Sequence, residues 1–423
     1  MLIKFEVENF RSIKDAVELS MEVYRPDPHK LENVADIDNK GLLKVAAVYG
    51  ANASGKSNLV RAIGLLRKLV LRSQFNSMEA GMDHQPFLFD DTSKDRPTTF
   101  FIDFFQEGIR YNYVLVYDGK RVISEEMSHY PKGRAALIFS RKMTDEGQQF
   151  RFNVERSKQN MISEITAENV LYLSKAATSN LGMIQPPFNW FKNKLIILTA
   201  GTPPRMDLIH RAIEESPKEF LSFVKMADLG IGDFEIEEKS MENRIPKEFE
   251  SLWNQISELA EKRINTDRTI SINAVHEIGD EVLGKYSLNI NNESEGSRRL
   301  MSLIPRWIRL LKEGCVLFLD EMECQLHPLL VDSLISTLQN PDVNRKNAQL
   351  IFTSHDNQII ERNGFRRDQV WIAQRDPHEG VTTYDSLIDY KMQRVRNDEK
   401  MGKRYLEGRY GGVPMIRRWS IDI

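Results

Sequence analysis

Residues 45–57 read VAAVYGANASGKS, and this stretch decides the fold of the chain. The apolar run at 45–49 is typical of a short buried strand that ends at a glycine. Gly50–Ser57 fits the pattern GxxxxGK[ST], and apolar residues recur at helical spacing after it. A glycine-rich loop between a buried strand and a helix presents backbone N–H groups to phosphate oxygens. The stretch therefore predicts a nucleotide phosphate site in an α/β fold.

The loop also predicts which side chains contact the ligand. Lys56 is expected to reach the β- and γ-phosphates, and the Ser57 hydroxyl is expected to bind Mg²⁺. The remaining residues expected to contact the nucleotide are Gly50, Asn52, Ser54, Gly55 and Asn58. The alternative is a Gly/Ser turn that binds nothing, and the flanking strand and helix patterns argue against it.

A second candidate motif is an acidic pair far along the chain. Residues 314–321 read GCVLFLDE, an apolar run that ends in Asp320 and Glu321. In phosphate-loop enzymes the first such carboxylate holds Mg²⁺ and the second can polarise the attacking water. By itself the pattern also fits a strand that leaves the core, but the phosphate loop makes the first interpretation stronger. The long segment between Lys56 and Asp320 leaves room for a large insertion.

Composition excludes several other classes of protein. The 423 residues include 58 basic and 61 acidic ones, so no overall positive charge favours nucleic acid or anionic lipid. Two cysteines are too few for a disulfide framework or a Cys-rich zinc site. No apolar run approaches the roughly 20 residues that span a bilayer. We therefore expect a soluble cytoplasmic protein that does not contact a membrane.

Periodicity along the chain predicts a composite core with an insertion. Alternating residues predict a hairpin over 99–117 that turns at Glu107-Gly108, inside an otherwise helix–strand pattern. The middle of the chain is less regular, with amphipathic helices predicted at 206–230 and 246–264. We predict an N-terminal half of the core with an antiparallel β subdomain, a mainly helical insertion and a C-terminal half, at residues 1–160, 161–285 and 286–423.

Five further segments resemble those of one ATPase group. They are NFRS at 9–12, ESEGSRRL at 293–300, LHP at 326–328, TSHD at 353–356 and YLEGRYGGVP at 405–414. In this order they resemble the ABC-type ATPases of the SMC and RecF group. The resemblance is greatest to AAA-family ATPases of bacterial anti-phage and abortive-infection systems, the RloA/AbiL type, which are similar to OLD proteins without the Toprim nuclease domain.

The resemblance implies an ABC-type P-loop NTPase core that uses ATP and Mg²⁺. It implies that Arg11 approaches the bound phosphates and that His355 is a switch residue beside the γ-phosphate or attacking water. It also implies that Ser294 and Gly296 form a degenerate signature facing the nucleotide of the opposite protomer, so that ATP lies in a homodimer or higher oligomer. A plain helix cap is the alternative for Ser294. In this ATPase group a glutamine completes the coordination of Mg²⁺. The sequence does not identify this residue, and Gln85 and Gln185 are the candidates.

Two functions follow from the resemblance. The first is an ATPase sensor or scaffold in anti-phage defence, which controls a separate nuclease or toxin and responds to a phage-derived trigger. This expectation arises because only a short segment follows His355 and carries no nuclease motif. The second is a RecF- or SMC-like ATPase that binds DNA. Six basic residues of the insertion would contact the DNA in this case: Lys239, Arg244, Lys247, Lys262, Arg263 and Arg268. Glutamates alternate with them, which is more typical of a solvated helix face than of a DNA-binding groove.

Overall fold

The computed structural model describes residues 1–25, 31–77, 79–240, 268–277, 285–390 and 401–413. The chain divides into two compact units. The first comprises Met1–Gly201, Leu310–Cys324 and Val331–Ile423, and the second comprises Thr202–Arg309 and Gln325–Leu330. The predicted helix at 246–264 lies outside the described residues. Of the six basic residues of the insertion named above, four also lie outside them, and the side chains of the other two are not described. Within the described residues, no helix is long and apolar enough to cross a membrane.

The strands, in chain order, are β1 (Leu2–Glu8), β2 (Val17–Ser20), β3 (Val34–Ile37), β4 (Lys40–Leu43), β5 (Val45–Tyr49), β6 (Thr98–Gln106), β7 (Ile109–Tyr117), β8 (Val122–Tyr130), β9 (Ala136–Thr144), β10 (Gly147–Phe152), β11 (Leu195–Leu198), β12 (Ile231–Ser240), β13 (Arg268–Glu277), β14 (Lys285–Asn289), β15 (Val316–Leu319), β16 (Gln349–Ser354), β17 (Val370–Arg375) and β18 (Thr382–Ser386). The α-helices are α1 (Lys56–Arg72), α2 (Arg156–Glu164), α3 (Tyr172–Thr178), α4 (Gln185–Asn189), α5 (Met206–Glu215), α6 (Pro217–Met226), α7 (Glu295–Glu313), α8 (Pro328–Gln339), α9 (Gln358–Arg362) and α10 (Met401–Leu406).

A six-stranded sheet in the order β11-β15-β16-β5-β17-β18 forms the centre of the first unit. Its strands run parallel except for β18, which pairs antiparallel with β17. Strands β5, β15 and β16 are buried along their whole length, which explains why β5 and β15 read as continuous apolar runs rather than alternating ones. Because parallel strands end at the same edge, the phosphate loop after β5 and the acidic pair after β15 come together.

A seven-stranded antiparallel sheet in the order β10-β9-β8-β7-β6-β1-β2 accompanies the central sheet in this unit. The predicted hairpin is confirmed, since β6 and β7 pair around a turn in which Glu107 and Gly108 have φ angles of 53° and 75°. Aromatic side chains fill the space beneath the sheet, where Phe104 stacks on Trp190 with a centroid distance of 4.2 Å. The α/β fold with an antiparallel sheet is therefore the one that the sequence predicts.

The first unit extends beyond the predicted boundary at residue 160. Residues up to 201 belong to it, and β11 pairs in parallel with β15 as the edge strand of the central sheet. The sequence LIIL at 195–198 is too short to show that it is a sheet strand, because its partner lies over a hundred residues further on. The unit boundaries at 201/202 and 309/310 thus differ from the predicted limits of 161 and 285.

The second unit combines helices with a three-stranded antiparallel sheet in the order β12-β13-β14. The single helix predicted for 206–230 is divided into α5 and α6 at Ser216. Pro217 explains the division, since proline lacks an N–H group and excludes helical geometry at the residue before it. Ser216 accordingly has φ and ψ angles of −148° and 51°. The described part of the predicted insertion is therefore mixed α/β rather than mainly helical.

Candidate nucleotide site

The phosphate loop wraps the N-terminus of α1 and holds its lysine inward. Lys56 is 5% exposed, and its Nζ donates to the carbonyl oxygens of Gly50 at 2.8 Å and Ala51 at 2.9 Å. The same nitrogen lies 3.3 Å from Nδ1 of His355. Burial lowers the pKa of Lys56 to about 8, although the nearby carboxylates of Glu323, Asp320 and Glu321 oppose that shift.

Glycine is required at two loop positions because atoms of other segments lie close. A Cβ atom at Gly50 would lie 2.3 Å from the carbonyl oxygen of Ala373. Gly55 has a φ angle of 103°, and a Cβ atom there would lie 2.5 Å from Oγ1 of Thr382. A side chain at either position would push the loop away from the sheet, so the glycines keep the loop's N–H groups in the position from which they can bind phosphate.

Oxygen ligands suited to Mg²⁺ meet beside the loop. The Ser57 hydroxyl donates to Oδ1 of Asp320 at 2.9 Å, and the Thr353 hydroxyl donates to the same oxygen at 2.7 Å. Asp320 is 2% exposed and directly follows β15. Mg²⁺ commonly uses one or two protein oxygens and takes its other ligands from water and phosphate. Ser57 and Asp320 therefore fit the metal that the sequence predicts.

Glu321 and His355 complete the same cavity. Glu321 has a φ angle of 53°, and its backbone N–H donates to the Thr353 hydroxyl at 2.8 Å. The backbone N–H of His355 donates to a carboxylate oxygen of Glu323. Burial, followed by the charge of Lys56, lowers the pKa of His355, so the neutral imidazole is favoured. A neutral imidazole can accept a proton or a hydrogen bond, as a switch histidine requires.

The cavity around these groups has a volume of about 550 Å³. Six of the predicted nucleotide contacts line it, namely Asn52, Ser54, Gly55, Lys56, Ser57 and Asn58. Gly50 does not line it but accepts from Lys56 through its carbonyl. The other lining residues are Ser12, Ala53, Arg61, Glu321, His355 and Arg375. The cavity thus carries three basic side chains, Lys56, Arg61 and Arg375, which favours a polyanionic ligand.

Within the described residues Arg11 does not line this cavity, although its neighbour Ser12 does. The Arg11 guanidinium Nε donates to Oε1 of Gln85 at 2.7 Å, and its backbone N–H donates to the Gln85 carbonyl at 2.7 Å. The other glutamine candidate, Gln185, donates to the carbonyl of Ala177 at 2.6 Å in the first turn of α4. Both glutamines are therefore engaged in local structure.

Ser294 and Gly296 belong to the second unit. Ser294 caps α7, since its hydroxyl accepts from the backbone N–H of Ser297 at 3.1 Å. A Cβ atom at Gly296 would lie 2.9 Å from the carbonyl oxygen of Gln325, so glycine is required there as well. The buried side chain of Arg299, one turn into the helix, has Nε and one Nη without a partner within the described residues.

Sequence reasoning missed the residues of β17 and β18 that support the site. The Thr382 hydroxyl donates to the Ser54 carbonyl at 3.0 Å, and the Tyr384 hydroxyl donates to the Gly55 carbonyl at 2.7 Å. Arg375 at the end of β17 lines the cavity and lies over the ring of Phe89, 5.1 Å from its centroid. No local pattern marks these residues, because Thr382 and Tyr384 contact the loop from more than 300 residues away and Arg375 lines the cavity from a similar distance along the chain.

Fold and site together define an α/β P-loop nucleotide-binding protein. Residues 45–361 match the family model described as "AAA domain, putative AbiEii toxin, Type IV TA system". The match spans well over half of the chain, and the protein belongs to this AAA family. The family match agrees with the predicted AAA-family core and covers both the phosphate loop and the acidic pair.

The solved structures that the chain is similar to include SMC head domains. One is an SMC head bound to the C-winged helix domain of ScpA, at 13% identity and a TM-score of 0.42, covering 91% of this chain and 97% of that one. Another is the SMC head domain from Thermotoga maritima, at 15% identity and a TM-score of 0.38, covering 91% and 98%. A third is an SMC head with an extended coiled coil bound to the C-terminal domain of ScpA from Pyrococcus furiosus, at 13% identity and a TM-score of 0.37, covering 92% and 97%. No curated protein sequence matches the chain.

Proposed function

We propose that the protein is a Mg²⁺-dependent ATPase whose nucleotide state controls a separate effector. The observation that carries the proposal is the convergence of Lys56, the Ser57–Asp320 pair, Glu321 and His355 on one cavity. Lys56 would bind the β- and γ-phosphates, and Ser57 and Asp320 would hold Mg²⁺, which neutralises phosphate charge when bound. Glu321 would orient and deprotonate the attacking water, and His355 would hydrogen-bond that water or the γ-phosphate.

We further propose that ATP is bound between two protomers. In this arrangement the N-terminus of α7 in one protomer, with Ser294 and Gly296, faces the nucleotide of the other. Free N–H groups at a helix N-terminus favour an anion, and the buried unpaired nitrogens of Arg299 would gain from one. The helix-cap role of Ser294 is compatible with this second role, because its hydroxyl can still donate a hydrogen bond.

The proposed biological setting is bacterial anti-phage defence, with a phage-derived trigger and a nuclease or toxin as the effector. The family description, which refers to a toxin and a toxin–antitoxin system, supports this setting. Among the described residues no group of three His, Cys, Asp or Glu could hold a metal ion. No observation on the described residues favours the DNA-binding alternative.

A matched pair of variants tests the ATPase. Lys56→Ala removes a point charge from the phosphates and should abolish measurable ATP binding in calorimetry. Glu321→Gln keeps the shape of the side chain but cannot accept a proton, so ATP should bind normally while hydrolysis slows by about 100-fold. Wild-type affinity in the first variant, or wild-type turnover in the second, would falsify these assignments.

A separate assay tests the need for a second chain. The purified protein, incubated with ATP, Mg²⁺ and either DNA or RNA, should leave the nucleic acid intact. The Glu321→Gln variant, which should remain ATP-bound, is the matched control for any cleavage driven by the ATP-bound state. If wild-type protein cleaves the nucleic acid, and if this activity copurifies with the protein, the proposal that a separate chain is the effector is contradicted.

A further inference from the structure

Two segments that leave the central sheet side by side are joined by hydrogen bonds. We call them the acidic turn, residues 320–323 after β15, and the switch segment, residues 353–355 at and after the end of β16. They are neighbours because Leu319 of β15 pairs with Phe352 of β16. The acidic turn carries two carboxylates of the nucleotide site, and the switch segment carries the switch histidine. The bonds between the segments therefore bear on the geometry of hydrolysis.

Thr353 makes the first connection. It is 1% exposed, and its hydroxyl accepts from the backbone N–H of Glu321 at 2.8 Å and donates to Oδ1 of Asp320 at 2.7 Å. Its carbonyl accepts from the backbone N–H of Met322 at 3.1 Å. Glu321 has a φ angle of 53°, a left-handed conformation that a residue with a side chain keeps only when its surroundings hold it there. Thr353 thus holds the backbone conformation from which Glu321 reaches the nucleotide cavity.

Glu323 makes the second connection. One of its carboxylate oxygens accepts from the backbone N–H of His355. The other, Oε2, is buried and has no hydrogen-bond partner among the described residues. Burial lowers the pKa of His355, and the charge of Glu323 opposes that shift. A carboxylate oxygen that is buried without a partner is unfavourable, which indicates that Glu323 has a specific role at His355.

The backbone contact fixes a histidine whose ring is also oriented. Nδ1 of His355 lies 3.3 Å from Nζ of Lys56. Because an ammonium group can only donate hydrogen bonds, Nδ1 accepts, and the proton of the neutral ring is on Nε2. The ring then offers Nε2–H as a donor, which suits a phosphate oxygen.

We propose that Thr353 and Glu323 are positioning residues for ATP hydrolysis. Thr353 fixes Glu321 for proton removal from water, and Glu323 fixes His355 for its hydrogen bond. Neither belongs to the described lining of the nucleotide cavity, so each acts through the residue that it holds. This proposal rests on the ATPase function proposed above. It adds that the base and the switch histidine are held by one pair of joined segments, so that a displacement of His355 is transmitted to Glu321.

Thr353→Val tests the first connection, because it replaces the hydroxyl by a methyl group of similar size. In steady-state hydrolysis at saturating Mg²⁺, kcat should fall by about 10- to 100-fold and KM should change by less than about twofold. Thr353→Ser keeps the hydroxyl and should have a kcat within about threefold of wild type. Thr166→Val is the matched control, since Thr166 is 4% exposed and its hydroxyl donates to the Ile162 carbonyl at 2.7 Å just after α2. The control should lose stability in thermal unfolding and keep the wild-type kcat.

A second pair of variants tests Glu323. Glu323→Leu removes the acceptor and should lower kcat by about tenfold, whereas Glu323→Gln keeps an acceptor oxygen and should stay within about threefold of wild type. Double-mutant cycles show whether each residue acts through its partner. Combined with His355→Ala, Glu323→Leu should lower kcat by less than about twofold further, and the same should hold for Thr353→Val combined with Glu321→Gln.

Several outcomes would overturn the proposal. They are a wild-type kcat in Thr353→Val and Glu323→Leu, no rescue by the conservative variants, and additive losses in the cycles. Calorimetry with a non-hydrolysable ATP analogue should give wild-type affinity for the variants, and a loss of affinity as large as the loss of kcat would show a structural defect and also overturn it. Failure of the proposed function is distinguishable, because the wild-type protein would then hydrolyse no ATP.

Discussion

At the scale of single residues, Lys56 shows how the site is prepared for a polyanion. Its ammonium group is buried, is held by two loop carbonyls and lies beside His355. Burial lowers its pKa to about 8, which means that the protonated form of Lys56 is destabilised when no phosphate is bound. A bound phosphate would restore the preference for the charged form, so binding and protonation are linked.

This linkage predicts a pH dependence of nucleotide affinity. Below pH 8 Lys56 is already protonated, and affinity should change little through this group. As pH rises above about 8 the free protein loses the proton that the complex keeps, so affinity should fall by up to about tenfold per pH unit. Calorimetric titration of a non-hydrolysable ATP analogue across this range measures the effect.

Lys56→Arg is the control, because guanidinium remains charged throughout this range. Its affinity should be lower at neutral pH, since the planar group fits the loop less well, but should not fall further above pH 8. The same downward slope in Lys56→Arg as in wild type would assign the titration to another group.

At the scale of elements, β18 connects the sheet to the phosphate loop. It is an edge strand that pairs only with β17 in the six-stranded sheet, yet two of its side chains donate to loop carbonyls. The hydroxyl of Thr382 is also hydrogen-bonded to the hydroxyl of Ser12, which in turn accepts from Asn58 of α1. The strand thus fixes the positions of the loop, the helix N-terminus and the segment after β1 relative to one another.

Tyr384→Phe tests this role of β18. The substitution keeps the ring but leaves the Gly55 carbonyl without its donor, at a cost of about 1 kcal/mol to stability. Because the loop is less well held, nucleotide affinity should also fall by about three- to tenfold. Thermal unfolding and calorimetry measure the two effects.

Tyr117→Phe is the matched control. Tyr117 is also buried and also donates to a backbone carbonyl, that of Asp83, but it lies in the antiparallel sheet. This variant should lose similar stability and keep nucleotide affinity. Equal loss of affinity in both variants would mean that only global stability matters and that β18 does not position the loop.

At the scale of the whole molecule, the candidate signature and the phosphate loop belong to different compact units. The proposed dimer predicts complementation between inactive variants. Lys56→Ala and Ser294→Arg should each be inactive, but their mixture should regain part of the ATPase activity, because a head-to-tail heterodimer contains one intact composite site. Steady-state phosphate release from the mixture measures this recovery.

A mixture of Lys56→Ala with Glu321→Gln is the control for complementation. Both residues would act on the same nucleotide within one protomer, so each site of this heterodimer retains one defect and activity should stay low. No recovery in the first mixture, under conditions where the two variants are shown to associate, would contradict a signature that acts in trans.

The sequence by itself determined the parts of the protein that depend on neighbours in the chain. The phosphate loop and the acidic pair after a buried strand follow from local patterns of glycine, charge and apolar spacing, and the structure has them where they were predicted. The antiparallel hairpin follows from alternation and a turn. These signals lie within a few residues of the feature that they predict.

Only the tertiary structure decided the parts that depend on distant pairing. In it, β11 is the edge strand of the central sheet, and Arg11 donates a hydrogen bond to Gln85. Thr382 and Tyr384 donate hydrogen bonds to the phosphate loop, and Arg375 lines the nucleotide cavity. Each of these contacts joins residues that are far apart in sequence, and the residues carry no distinctive local pattern. Such contacts form because buried strands and polar groups must find partners, and the partner is chosen by packing of the whole unit.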